Sequence, residues 1–363
     1  MLFTGAIRRL PPVLIRAFVV ALLFSPAAFA EEAASTAPVE IGESPLLSAG
    51  PLEYRPGRGL HIADTGLAIG GFTNIKAENT PEDGGEFTVD RLNFFLIFDR
   101  YTRFRAVAEL QLKDIFVADR EQAGTQDFAF DVRRLFGDFV ITDELRVRAG
   151  TFLTEIGYWN LILADPLTWT TETPLIIEET FFQETTTGLM LHGSTGAGSG
   201  QVSYSLFSQF LKPLEDDPDL DPADYTAGAR VEYSAGTAWL VGASYQAADT
   251  NGEWSHVGGL HALWQHPRGE VLGEFFYQDG DALDSSQWGA YLQGVFAFHP
   301  PFYLVGRYEH FDEVSGEPTL NLFTAGVVYK PFPFMAFKLE YRFVDHEPED
   351  DPEGFFASFT TFF

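Results

Sequence analysis

From about Leu67 to Phe363 the chain alternates apolar and polar residues with a period of two. The clearest case is 103–117. Phe104, Ala106, Ala108, Leu110 and Leu112 fall on one face, and Arg105, Val107, Glu109, Gln111 and Lys113 on the other. In 334–345, Met335, Phe337, Leu339, Tyr341 and Phe343 oppose Lys338, Glu340 and Arg342. Side chains of an extended strand point alternately to its two faces. The period therefore predicts strands with one face in apolar surroundings and the other in water. Sixteen such segments are predicted, at about 67–78, 87–101, 103–117, 128–142, 145–157, 185–195, 200–212, 225–234, 237–248, 255–266, 269–278, 286–298, 302–312, 320–330, 334–345 and 354–363.

A soluble β-sandwich or β-helix would alternate too, so the connections carry the distinction. Every second one is tight: Tyr101-Thr102, Thr142-Asp143-Glu144, Thr195-Gly196-Ala197-Gly198, Ala235-Gly236, His266-Pro267-Arg268, His299-Pro300-Pro301 and Pro331-Phe332-Pro333. The others, 79–86, 118–127, 158–184, 213–224, 249–254, 279–285, 313–319 and 346–353, are longer and acidic. Two length classes in strict alternation predict an all-β fold, a transmembrane antiparallel β-barrel with its short turns and both chain ends in the periplasm. Such a barrel pairs every backbone group between strands and so crosses lipid without a helix. Tyr101, Phe104, Trp239, Phe302, Tyr303, Phe332 and Phe334 sit beside the tight turns, as an interfacial aromatic girdle would. The terminal Phe355–Phe363 stretch reads as the closing strand.

Residues 1–30 read as a signal peptide. Arg8, Arg9 and Arg16 flank a short apolar core, and Ala28-Phe29-Ala30 is a small-x-small cleavage site. Residues 31–59, rich in Ala, Pro, Gly and Glu, read as a flexible periplasmic lead-in, leaving 60–363 for the barrel. Beyond the signal no apolar run reaches transmembrane-helix length, about 20 residues. Yet the chain holds 36 Phe, 13 Tyr and 6 Trp, which suits strands with one greasy face. There is no Cys, so neither a lipoprotein anchor nor a disulfide contributes. A net charge of −29 excludes nucleic acid as a partner, because its phosphates would be repelled.

The longest connection, 158–184, carries Trp159, Trp169, Phe181 and Phe182, too apolar a set to stand free in water. It is expected to fold into the lumen, against an alternative as an outward lid or trimer contact. The polar face of the second to fifth strands supplies Arg91, Arg105, Lys113, Arg134, Arg146 and Arg148 as a basic lumen wall. Arg230, Arg307, Lys338 and Arg342 lie on the same face elsewhere, with Glu109, Asp138, Glu232, Glu274, Glu309 and Glu340. The long connection bears Asp165, Glu172, Glu178, Glu179 and Glu184 and neither Lys nor Arg. Two arrangements follow: a transverse field between basic wall and acidic loop, or mutual pairing as lumen salt bridges. Asp217, Asp219 and Asp221 have a calcium-like spacing but lack the central Gly and distal Glu of an EF-hand. No metal site is assigned. The acidic loops read as solvated, cation-attracting surfaces or as sites of divalent bridging to lipopolysaccharide. The eight His are scattered and no Gly-x-Ser-x-Gly occurs, so neither an enzyme nor a cofactor is expected.

Within 87–157 the segments Phe87-Thr88-Val89-Asp90-Arg91-Leu92, Ala108–Asp114 and Leu145-Arg146-Val147-Arg148-Ala149-Gly150-Thr151-Phe152, with Gly157, resemble the phosphate-selective porin family. Leu339-Glu340-Tyr341-Arg342-Phe343 is similar as well. The resemblance implies a sixteen-stranded barrel in the outer membrane of a Gram-negative bacterium, with its long third loop folded inside. It implies a passive aqueous channel for small hydrophilic solutes or inorganic ions. Lipid and lipopolysaccharide would surround it, and a homotrimer is one assembly open to it. The alternative is a non-conducting barrel with an adhesion or scaffolding role.

Overall fold

The computed structural model describes residues 47–363 apart from 82–83, 102, 120–122, 126–128, 163, 179–181, 213, 215–221, 282–285, 313–318 and 346–352. The period-two segments form strands. Three short ones come first: β1 (Leu47–Ala49), β2 (Leu52–Arg55) and β3 (Gly59–Ile62). Then follow β4 (Leu67–Thr80), β5 (Gly84–Tyr101), β6 (Phe104–Ala118), the two-residue β7 (Ala123–Gly124), β8 (Ala129–Val140) and β9 (Arg146–Leu153). The next are β10 (Thr185–Ala197), β11 (Gly200–Leu211), β12 (Tyr225–Ala235), β13 (Trp239–Thr250), β14 (Glu253–His266) and β15 (Gly269–Gly280). The last are β16 (Gln287–His299), β17 (Phe302–Asp312), β18 (Leu320–Phe332), β19 (Met335–Val344) and β20 (Gly354–Phe362).

From β4 onward, β7 aside, each strand pairs antiparallel with the next. β20 then returns to β4, from Phe362↔Phe72 to Phe355↔Asn79. The result is a closed barrel of sixteen antiparallel strands, so the main edges are paired. Its outward face is the apolar one: Phe337, Leu339 and Phe343 are exposed, while Lys338, Glu340 and Arg342 between them are buried.

Several expectations need correction. Residues 47–59, within the segment read as a flexible lead-in, hold β1, β2 and the start of β3, joined by turns. β3 pairs with β4 through Leu60↔Ile69, His61↔Ala68 and Ile62↔Leu67, beyond the reach of β20 along the same edge. An otherwise bare stretch of β4 backbone thereby gains hydrogen-bond partners. Phe363 completes the seam through reciprocal backbone bonds with Gly71 of 2.9 and 3.0 Å. The fifth barrel strand, expected at 145–157, ends at Leu153, so the long connection runs from 154 to 184. Tyr303, assigned to the girdle, instead packs against Trp169, its ring centroid 5.0 Å away.

Strict alternation also fails at two bulges, where one extra residue shifts the phase of a strand. The β6–β8 register slips beside Glu109, and Arg133 and Arg134 both turn to the polar face, onto Glu184 and Glu109 respectively. The β5–β6 register slips between Val89 and Arg91, and Asp90 and Arg91 then share that face. In β9, Gly150 has φ +126, and a Cβ there would lie 2.1 Å from the Leu135 carbonyl oxygen of β8. Only Gly tolerates both conditions.

The polar face is not wet throughout. Met190, Phe207, Val257, Leu263, Leu272, Phe276, Tyr291, Phe311 and Leu322 form a buried apolar cluster with Phe152, Ile156, Trp159, Leu175, Ile176 and Phe182. Residues of the long connection cover the wall there and exclude water from it.

Candidate functional site

A connection with little secondary structure must find partners for its backbone N–H and C=O groups. Here the charged side chains of the barrel wall supply them. The entry turns at Gly157, φ +64, whose N–H donates to Ser244 Oγ at 3.2 Å and whose carbonyl accepts from Arg230 Nε at 3.1 Å. A Cβ at Gly157 would lie 2.4 Å from Glu274 Oε2 and 2.6 Å from the Phe276 ring, so any side chain there would displace both in addition to straining φ. The Glu274 carboxylate accepts the N–H groups of Tyr158 (2.6 Å) and Trp159 (2.9 Å) and the Tyr291 hydroxyl (2.6 Å).

Further along, Lys338 Nζ donates to the carbonyls of Asp165 (2.9 Å) and Thr170 (2.8 Å) and to Thr168 Oγ1 (2.8 Å). Arg307 donates to Thr170 Oγ1 and to the carbonyls of Glu172 and Thr173, at 2.6, 2.9 and 3.3 Å. Glu340 accepts the N–H groups of Thr171 and Glu172 at 2.9 and 3.2 Å. Glu309 accepts that of Leu175 at 2.8 Å, at the start of the one-turn helix Leu175–Glu178, while Arg307 Nε donates to its other oxygen. Trp169 Nε1 donates to Glu270 Oε1 at 2.6 Å, and Lys330 Nζ lies 3.7 Å from the centroid of the Trp169 ring. Glu270, Tyr303 and Lys330 all sit at the short-turn ends of their strands. The connection thus leaves β9 at the long-loop end and reaches the opposite end.

The predicted wall bases divide into two groups. Arg91 lies 3.2 Å from Asp90 and 4.0 Å from Asp165. Lys113 lies 3.5 Å from Asp131, Arg134 is paired with Glu109, and Arg148 binds both oxygens of Asp138 at 2.8 and 2.9 Å. Arg105 and Arg146, near the short turns, are exposed and stand apart from this set. Among the loop acids, Asp165 meets Arg91, Glu172 lies 3.5 Å from Lys76, and Glu184 meets Arg133. Glu178 is exposed, and Glu179 lies outside the described residues, as do Phe181 and most of the acidic connections at 213–224 and 346–353.

Lys76 and Arg133 are absent from the sequence-derived set. Lys76 follows Asn74 and precedes Glu78 at even spacing on β4, a polar run that could have revealed it. Arg133 was hidden by the bulge, for which the adjacent Arg133-Arg134 pair is the only hint. Glu274, Glu309, Glu340, Arg307 and Lys338 were placed on the right face, but nothing in their spacing says that they bind backbone.

A closed sixteen-stranded antiparallel barrel, apolar outside and crossed by ion pairs on its polar face, has the fold of the outer-membrane porins. OmpF of Salmonella typhi matches with a TM-score of 0.60 at 12% identity, over 83% of this chain and 98% of that one. OmpT, an outer membrane protein of Vibrio cholerae, matches with a TM-score of 0.57 at 10% identity, over 87% of this chain and 99% of that one. An anion-selective porin from Comamonas acidovorans matches with a TM-score of 0.54 at 12% identity, over 82% and 98%. In sequence, an uncharacterized protein of Aquifex aeolicus is 22% identical over 86% of this chain and 85% of its own length. No family model matches the chain.

Proposed function

We propose that the chain is a passive pore of a Gram-negative outer membrane, and that residues 154–184 lie in its lumen and narrow it. The carrying observation is that this one connection contacts polar-face side chains of β4, β5, β12, β13, β15, β17, β18 and β19. A single segment reaches strands so far apart around a barrel only across its interior. The dry cluster fills the sector toward β9–β18, which leaves the β4–β8 side as the route for small hydrophilic solutes or ions. The apolar outer face suits lipid, with lipopolysaccharide around the outer loops, and a homotrimer is compatible with this arrangement.

Each buried or half-buried base of β4–β9 has an acid within 4.0 Å. With each of these bases already neutralised, a doubly charged phosphate meets no net positive charge there, so the resemblance to the phosphate-selective family is read as one of architecture, with weak ion selectivity and without a tight phosphate site. The second reading, a non-conducting barrel for adhesion or scaffolding, draws on the same dry cluster, which would block that sector. Planar-bilayer conductance of the refolded full chain decides between them. Steps of fixed conductance that grow when 161–180 are replaced by a short Gly-Ser link support the lumenal loop. A heat-modifiable, folded barrel that passes no current and no sugar into liposomes supports the second reading instead.

A further inference from the structure

Between the long connection and the β5–β8 wall lies a cavity of about 210 Å³ with two unlike sides. One side is apolar: Leu161, Ile162 and Leu167 of the connection face Phe95 and Phe362 of the wall. Leu167 is 50% exposed although the residues on either side of it are buried, so it is held toward open space rather than into the core. The other side is charged, with Arg133, Arg134 and Glu109. Glu109 is already satisfied, accepting from Asn93 Nδ2 at 2.6 Å and from Arg134 Nε. Among the described residues that Nε is the only part of the Arg134 guanidinium with a hydrogen-bond partner, so its two terminal nitrogens remain as a fork. The plane is steadied by the Phe95 ring, 5.4 Å from the guanidinium carbon. A fork of parallel N–H groups matches the two oxygens of a carboxylate.

We infer that this cavity is a subsite for small amphipathic carboxylates, aryl or short-chain aliphatic acids. The acid group sits on Arg134 and the hydrocarbon between Leu167 and Phe95. Apolar burial favours the hydrocarbon at about 25 cal/mol per Å². Arg133 is paired with Glu184 and Arg134 with Glu109 through Nε alone, so the preference for an anion over a cation rests on the two terminal nitrogens of Arg134. The volume is below the roughly 300 Å³ at which drug-sized sites begin, so the occupant is small. Access from solution rests on the pore reading above; the chemistry of the cavity does not.

The test uses the refolded full chain in planar bilayers with benzoate, acetate, benzylamine and benzyl alcohol as blockers of potassium chloride current. Benzoate is expected to block saturably, at concentrations at least tenfold below those of the other three. A charge-assisted contact is worth about tenfold or more, so Arg134→Gln should raise the half-blocking benzoate concentration by about that factor. Arg134→Gln also disturbs buried Glu109, so Leu167→Ser, in the connection, serves as a second variant and should weaken benzoate block while leaving acetate unchanged. Equal block by benzoate and acetate, or benzoate block that both variants leave intact, overturns the inference while the pore reading stands. If the folded barrel carries no current, the pore reading fails. Calorimetric titration of benzoate into the detergent-solubilised barrel then decides the inference separately: saturable binding lost in the variants supports it, and no binding overturns it.

Discussion

Lys338 and Asp165 meet through the ammonium and a backbone carbonyl, 2.9 Å apart, not through their two charges. The Asp165 carboxylate is directed instead toward Arg91, 4.0 Å away. One residue of the long connection thus touches two walls, anchored by its main chain on β19 and by its charge on β5. This division of labour recurs along the connection and underlies the predictions below.

Lys338→Met removes the donor for three acceptors and leaves them buried. The Thr168 hydroxyl can still donate to one of the two carbonyls; the acceptors left without a donor cost about 1–3 kcal/mol each, so docking of the connection should weaken by about 2 kcal/mol or more. No strand-to-strand pairing depends on these contacts, so the folded band on unheated gels should persist. A cysteine in place of Ile176, buried in the same connection and apart from Lys338, should react with a thiol reagent about thirtyfold faster in the Lys338→Met background. An unchanged rate would mean that the ammonium does not hold the loop.

Trp169→Ala removes the contact with Lys330 and the hydrogen bond to Glu270. A cation over a ring contributes about 0.5–2 kcal/mol. The tip of the connection should detach at the short-turn mouth, and open-channel current noise should rise with little change in barrel stability. Lys330→Met should give the same effect in weaker form.

Arg91→Gln leaves the Asp165 and Asp90 carboxylates without their nearest guanidinium, and the reversal potential in a salt gradient should move toward cations. Glu172→Gln leaves Lys76 with Asp90 alone, 3.8 Å away, and should move it toward anions. Both shifts should shrink as salt rises from 0.1 M to 1 M, where the screening length falls from about 10 to about 3 Å. Shifts of the same sign in the two variants would contradict the pairing.

Gly150→Ala places a Cβ 2.1 Å from a backbone oxygen of the neighbouring strand, at a φ of +126. Backbone cannot swing aside as a side chain can, so the β8–β9 pairing should suffer and refolding yield should fall. Gly196→Ala, where a Cβ would meet nothing within 4 Å, is the control and should refold normally.

What the sequence determined by itself was the strand pattern, closure and the face of most charges. Period-two alternation and turn length are local properties, and the apolar surroundings outside the barrel impose them on every strand alike. It did not determine phase at Asp90 and Arg133, because a bulge is set by the register of two strands together and leaves no reliable trace in either. Nor could it assign partners. Asp165 and Lys338 are 173 residues apart, and only the folding of 154–184 against the wall brings them together. Composition marked that connection as acidic and aromatic. Tertiary structure decided that its carboxylates bind Arg91, Lys76 and Arg133, and that wall carboxylates at Glu274, Glu309 and Glu340 are spent on its backbone. The physical reason is that an irregular segment removed from water must satisfy each N–H and C=O group, and nearby wall charges do so at lower cost than bare desolvation.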